Sequence, residues 1–228
     1  MPRDTHHKMP SAIEALTRLS EGNRRFVSDQ TRSSALSDSA RRAALAGGQE
    51  PFAIVLGCSD SRVPAELIFD QGFGDLFVIR VAGNIVAPSG IGSVEFAASR
   101  FGTNLVVVLG HSQCGAVTAT LEELRGQQTS QTRNLRSIVS RIRPAVEPLL
   151  AARRDDDPDA VLRDAVRANV RASANHLRHG SELLETLIAK TGLVVVGAEY
   201  SLETGIVEFF DNVPDGYQSR SLSLTPST

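Results

Sequence analysis

Four short apolar runs dictate the layout of this chain: Phe52–Leu56, Leu76–Ala82, Leu105–Leu109 and Leu193–Val196. Each is rich in β-branched or aromatic side chains and apolar on both alternations, the pattern of strands buried on both faces. Helical patterns separate the first three and follow the third: Pro64–Phe69 with proline in its first turn, Ile91–Arg100 and Cys114–Arg125. Strand and helix in alternation predict an α/β fold, a central mostly parallel sheet of about four strands with right-handed crossovers and flanking helices. Residues 198–210 read as a hairpin, with Glu199-Tyr200 and Gly205–Phe210 on either side of a turn at Leu202-Glu203-Thr204. It adds an antiparallel edge strand.

The remaining segments are helical or polar. Ser11 to Glu14 is a capping-box pattern, and Ile13, Leu16 and Leu19 follow at helical spacing until Gly22 interrupts them. A polar stretch, Ser28–Ser37, leads into a short helix over Asp38–Ala46 that Gly47-Gly48 stops. Residues 134–190 read as helices broken near Arg153–Pro158, where the charge run is most simply a solvated turn. The expected organisation is a disordered polar leader over 1–10 that carries His6 and His7, a helical arm over 11–48, and one α/β domain over 49–228. No internal repeat or low-complexity block interrupts it.

Composition narrows the function. Of 228 residues 41% are hydrophobic and 22% charged, ordinary values for a globular chain of one sizeable domain. The net charge is −2 and the 24 basic residues are scattered, so neither nucleic acid nor a membrane surface is an expected partner. Residues 1–30 hold no apolar segment of signal-peptide length, and no run approaches the roughly 20 residues that span a bilayer. A cytoplasmic protein acting on small molecules is the expectation. The two cysteines, Cys58 and Cys114, then point to metal or catalysis rather than to a disulfide.

Taken singly, either cysteine is most simply a buried apolar residue. Position changes that reading. The first run closes Val55-Leu56-Gly57-Cys58, and the third closes Val108-Leu109-Gly110-His111 with Cys114 three residues on. Open α/β sheets place their sites at the carboxyl ends of strands, so parallel pairing of these runs brings two sulfurs and an imidazole to one point. The opening turn of a helix sets His111 and Cys114 on one side, and the positive end of that helix favours the Cys114 thiolate. Three ligands with an open fourth position is the pattern of a catalytic zinc. Asp60, two residues past Cys58, can take that fourth position or accept a hydrogen bond from a zinc-bound hydroxide, and Arg62 is placed to pair with Asp60 and hold it off the metal. The bland alternative is a surface ion pair, which the position directly after a buried strand disfavours. The phosphate loop of cysteine phosphatases needs five residues between Cys and Arg. Six positions past Cys58 stands Pro64, which excludes it.

Cys58-Ser59-Asp60-Ser61-Arg62 and His111-Ser112-Gln113-Cys114-Gly115 resemble, in order and separation, the two motifs of the β-class carbonic anhydrases. The resemblance runs from Glu21–Phe26 to the hairpin around Tyr200 and Gly205. It implies one zinc ion per subunit held by Cys58, His111 and Cys114, with Asp60 as a further ligand only in a closed form, and Asp60 with Arg62 as the catalytic dyad. It further implies Gln49 as a hydrogen-bond partner of bicarbonate, a substrate-facing N–H on Gly115, and an apolar pocket of Phe77, Ala82 and Phe96 across a dimer interface. Without it Gln49 reads as an exposed turn residue and the two phenylalanines as core. Plant-type members often carry Tyr where Phe96 stands. Members with a regulatory bicarbonate pocket carry Trp where this chain has Val55, and it has no Trp at all.

The function so implied is reversible hydration of carbon dioxide to bicarbonate and a proton by zinc-bound hydroxide. Two thiolates neutralise the metal's charge, so activity is expected to rise above neutral pH. The alternatives are hydrolysis of carbonyl sulfide or carbon disulfide on the same site, and a bicarbonate-responsive zinc protein without turnover. No proton shuttle is assigned among the other histidines. The resemblance also implies a homodimer or homotetramer, in which the N-terminal helices extend to a partner subunit.

Overall fold

The computed structural model describes residues 9–32, 38–127, 132–152 and 157–217. His6 and His7, the end of the polar stretch at 33–37 and the charge run at 153–156 lie outside them. Five strands form one sheet: β1 (Ala53–Gly57), β2 (Leu76–Arg80), β3 (Leu105–His111), β4 (Val194–Tyr200) and β5 (Val207–Asp211), in the order β2-β1-β3-β4-β5. The first four are parallel, and β5 returns antiparallel to β4 as the expected hairpin. Helices α1 (Ala12–Val27), α2 (Ser39–Ala44), α3 (Ala65–Ile68), α4 (Pro88–Phe101), α5 (Gly115–Leu124), α6 (Arg133–Ala152), α7 (Pro158–His179) and α8 (Glu182–Thr191) surround it. No helix among the described residues is long and apolar enough to cross a membrane.

Strand alternation divides the core in two. Ala53, Val55, Leu105, Val107 and Leu109 face one side and pack with Phe69 and with Ala15, Leu16 and Leu19 of α1. Ile54, Leu56, Val106 and Val108 face the other and pack with Val94 and Ala97 of α4 and with Val170, Ala174 and Leu177 of α7. All seven residues of β3 are buried, as expected for a central strand covered on both faces. The apolar run of β2 behaves differently. Only Leu76 is buried, Phe77, Val78 and Ile79 are half-buried and Arg80 is exposed, because β2 is the outer strand.

Helix α1 buries one face on its own chain. Its capping box forms as read, with the Glu14 N–H donating to Ser11 Oγ and the Ser11 N–H donating to Glu14 Oε2. Leu16 and Leu19 are fully buried, and each contributes about 1.5–3 kcal/mol by leaving water. That face covers one side of the chain's own sheet. Asn23 secures it, donating to the carbonyls of Ile68 and Gly205 and accepting from the Val207 N–H. Gly22 does not interrupt the helix. It is where α1 crosses the Phe69 carbonyl, whose oxygen would stand 1.7 Å from an added Cβ. Met9 and Pro10, assigned to the leader by sequence, also meet the body: Met9 packs against the core and the Pro10 carbonyl accepts from Asn104 Nδ2.

Candidate metal centre

Parallel pairing of β1 with β3 sets Gly57 opposite Leu109, so the residues that leave these strands emerge side by side. Cys58 follows β1, His111 closes β3, and Cys114 is the N-cap of α5. One donor atom from each lies within 4.8 Å of the others, and all three residues are buried. The imidazole is fixed by its Nδ1, 2.8 Å from the Ser112 carbonyl oxygen. A carbonyl only accepts, so Nδ1 carries the proton and Nε2 presents its lone pair. That Nε2 is buried and has no hydrogen-bond partner. An orphaned imidazole nitrogen beside two sulfurs, at a spacing one ion can bridge, fits a zinc ion.

The thiols are not equivalent. The Cys58 thiol is drawn down toward the thiolate, first by a hydrogen bond from the Cys114 thiol, against the opposing effect of burial, and also by the Gly83 N–H at 3.3 Å from its sulfur. Cys114 is pushed up by its hydrogen bond to Cys58, then by burial and by the Cys58 charge. The Ala116 and Val117 N–H groups at the α5 opening pull Cys114 the other way, toward the thiolate, as the sequence expected of that helix end.

Asp60 stands beside this cluster, its Oδ2 3.9 Å from His111 Nε2. Arg62 grips it with two parallel bonds, Nε to Oδ1 at 3.0 Å and Nη2 to Oδ2 at 2.8 Å, and the Arg62 backbone N–H adds a third at 3.0 Å. This grip holds the Asp60 carboxyl well below the usual carboxylate range. Arg80 braces the same loop from β2, donating from Nε to the Cys58 carbonyl at 2.9 Å and from Nη2 to the Asp60 carbonyl at 2.6 Å.

The other site residues divide by location. Gly115 opens α5 next to Cys114, with open space where a Cβ would be. Ala82 lies in the turn after β2, next to Gly83. Gln49, Phe77 and Phe96 are not brought to Cys58. Gln49 is exposed and precedes β1, while Cys58 follows it, and the five-residue strand alone separates the two by about 16 Å. Phe77 pairs with Ile54 near that same far end. Phe96 is 55% exposed, its ring 6.2 Å from that of Phe77.

Sequence reasoning missed Arg80, Gly83 and Asn169. Gly83 has φ +67, a conformation that favours glycine, and a Cβ there would lie 2.8 Å from Ile142 Cδ1. Its carbonyl accepts from the buried Asn169 Nδ2 at 2.8 Å. The Gly83-Asn84 dipeptide is a turn signal; nothing in one sequence joins it to Asn169, 86 positions away.

Comparison with known proteins agrees with this geometry. The sequence profile of the family described as Carbonic anhydrase matches residues 53–207. The protein named Carbonic anhydrase 2 of Mycobacterium tuberculosis is 37% identical over 201 residues, covering 88% of this chain and 94% of its own. Among solved structures, the β-carbonic anhydrase CafA of Aspergillus fumigatus superposes with a TM-score of 0.69 at 25% identity, covering 88% of this chain and 91% of its own. One of the two tetrameric β-carbonic anhydrases of Sordaria macrospora gives 0.64 at 27% identity over 74% and 84%. A profile match across most of the chain and a relative aligned nearly end to end place this chain in the β-carbonic anhydrase family.

Proposed function

We propose that this protein catalyses the reversible hydration of carbon dioxide to bicarbonate and a proton, with one zinc ion held by Cys58, His111 and Cys114. The observation that carries the reading is the buried, unpartnered His111 Nε2 facing two sulfurs, with the Arg62-bound Asp60 carboxylate 3.9 Å away. A zinc ion held there would supply a Lewis acid that makes hydroxide available, above neutral pH because two thiolates offset its charge. The chain's residues do the rest. Asp60, kept ionised by Arg62, accepts a hydrogen bond from the attacking water and so aims its lone pair at the carbon of carbon dioxide. The bidentate grip supports the arrangement in which Asp60 stands off the metal as an acceptor. The Gly115 N–H, at the opening of α5, is the donor offered to the oxygen on which charge develops, while the Ala116 and Val117 N–H groups go to the Cys114 sulfur. The water's proton leaves to solvent as bicarbonate forms.

A second copy of the chain completes the pocket. Gln49, Phe77 and Phe96 gather at the far end of β1 and the exposed edge of β2, and two-fold pairing lets each copy contribute them to the other's site. A homodimer, alone or within a tetramer, is the smallest unit with a full substrate pocket. Its place is the cytoplasm.

Stopped-flow hydration tests the reading. Zinc-loaded protein at alkaline pH turns over carbon dioxide, a chelator abolishes the activity and added zinc restores it. Absence of turnover in a sample carrying one zinc per chain rejects it, and faster turnover of carbonyl sulfide or carbon disulfide than of carbon dioxide transfers the site to those substrates.

A further inference from the structure

Only Ser112 and Gln113 separate the end of β3 at His111 from the α5 cap at Cys114. We propose that Glu203, on the turn between β4 and β5, is the positioning residue that holds this two-residue link in the shape that presents His111 and Cys114 to zinc. The inference rests on the reading that these residues bind the metal.

The link is strained and needs support. Gln113 has φ +55, in the left-handed region that costs a residue with a Cβ about 1–2 kcal/mol. Glu203 reaches across and fills both carboxylate oxygens with it. Ser112 Oγ donates to Oε2 at 2.9 Å, and Gln113 Nε2 donates to Oε1 at 2.7 Å. Glu203 is itself anchored, since Ser201 Oγ donates to Oε2 at 3.0 Å. In return the Leu202 N–H donates to Ser112 Oγ at 2.9 Å, so link and turn grip each other from both sides. Ser112 is also the residue whose carbonyl fixes His111 Nδ1. A rotation of that peptide swings the imidazole, and the same motion carries the Cys114 backbone. Glu203 is exposed and touches neither sulfur nor imidazole, so its effect passes through Ser112 and Gln113. Partners that orient metal ligands commonly govern metal affinity by about 10–100-fold.

Zinc retention in the full-length protein tests this independently of turnover. The measurement is the rate of zinc transfer to a chromophoric chelator, paired with the thiolate-to-metal absorption of the cobalt-substituted protein. Glu203→Ala should release zinc about 10–100-fold faster than the parent and shift the cobalt bands. Glu203→Gln, which keeps one acceptor oxygen, should fall between them. Ser112→Ala removes the same clamp from the other side, so the double variant should release zinc no faster than the quicker single variant, within about twofold. Glu208→Ala removes one of the two carboxylates that Arg167 holds on the same hairpin and should match the parent. If Glu203→Ala does not fold, Glu203→Gln and Ser112→Ala carry the test. Parental release rates and spectra in the clamp variants, or equal acceleration by Glu208→Ala, overturn the inference and leave the metal reading intact. A parent that binds no zinc at the three residues overturns both.

Discussion

Asp70 ties the N-terminal arm to the body, and replacing it with Asn gives a quantitative test of how the arm is held. Its side chain is fully shielded from solvent. It accepts from Arg25 Nε at 2.5 Å, from the Arg32 backbone N–H at 2.8 Å and from Arg32 Nε at 3.2 Å. Burial alone would raise its pKa, but the bonds from Arg25 and Arg32 overcome this and lower it. Asn preserves the shape and tolerates the residue's φ of +46, yet it has one acceptor oxygen and turns an N–H₂ toward a guanidinium. Hydrogen bonds to charged groups contribute about 1.5–3 kcal/mol each. Arg32 is half exposed and Arg25 one-fifth exposed, so both regain water in the variant and the net cost is about 2–3 kcal/mol. For a chain of this size that lowers Tm by about 5–10 °C. The sign with pH follows from the lowered pKa. The unfolded state takes up the Asp70 proton first as pH falls, so the stabilisation is complete above the unfolded value near 4 and fades below it as the folded carboxylate protonates. Thermal unfolding of parent and Asp70→Asn should therefore show a constant gap from pH 8 to 5 that narrows only below about 4. An unchanged Tm at pH 7, or a gap already closing at pH 6, refutes the reasoning.

Three further outcomes follow. Gly22→Ala forces α1 away from the Phe69 carbonyl and should cost about 1–3 kcal/mol in urea unfolding, where surface helix propensity alone predicts a gain. Arg62→Gln releases the Asp60 carboxylate from its bidentate grip; kcat should fall about 10–100-fold while zinc content by atomic absorption stays at the parent's value. Phe96→Glu places a charge in the exposed aromatic patch shared with Phe77 and Phe101. Sedimentation should then show a smaller species that keeps its zinc and loses hydration activity.

The sheet was readable from sequence because parallel strands covered on both faces leave unbroken apolar runs, and the glycines at 57 and 110 mark where β1 and β3 deliver Cys58 and His111. The Cys58-His111-Cys114 cluster follows from those two strand ends and their pairing. What could not be read depends on packing between distant segments. The apolar stripe of α1 says that it must cover something; that it covers Val55, Val107 and Leu109 of its own chain depends on which sheet face the other helices leave bare. Gly22 looked like a helix stop because a close approach to Phe69, 47 positions away, has no local signature. The run of β2 is as apolar as its neighbours, and its half-burial comes from edge position alone. Gln49 and Phe77 sit far from Cys58 because strand direction, not sequence distance, sets which end of the sheet a residue occupies.

X-ray absorption at the zinc edge of the loaded protein, at alkaline pH, tests the central claim most directly. The account predicts two sulfur scatterers at about 2.3 Å, one imidazole at about 2.0–2.1 Å and one further light atom, with one sulfur lost in Cys58→Ser and one in Cys114→Ser. A first shell of light atoms only, or a spectrum that neither substitution changes, would contradict it.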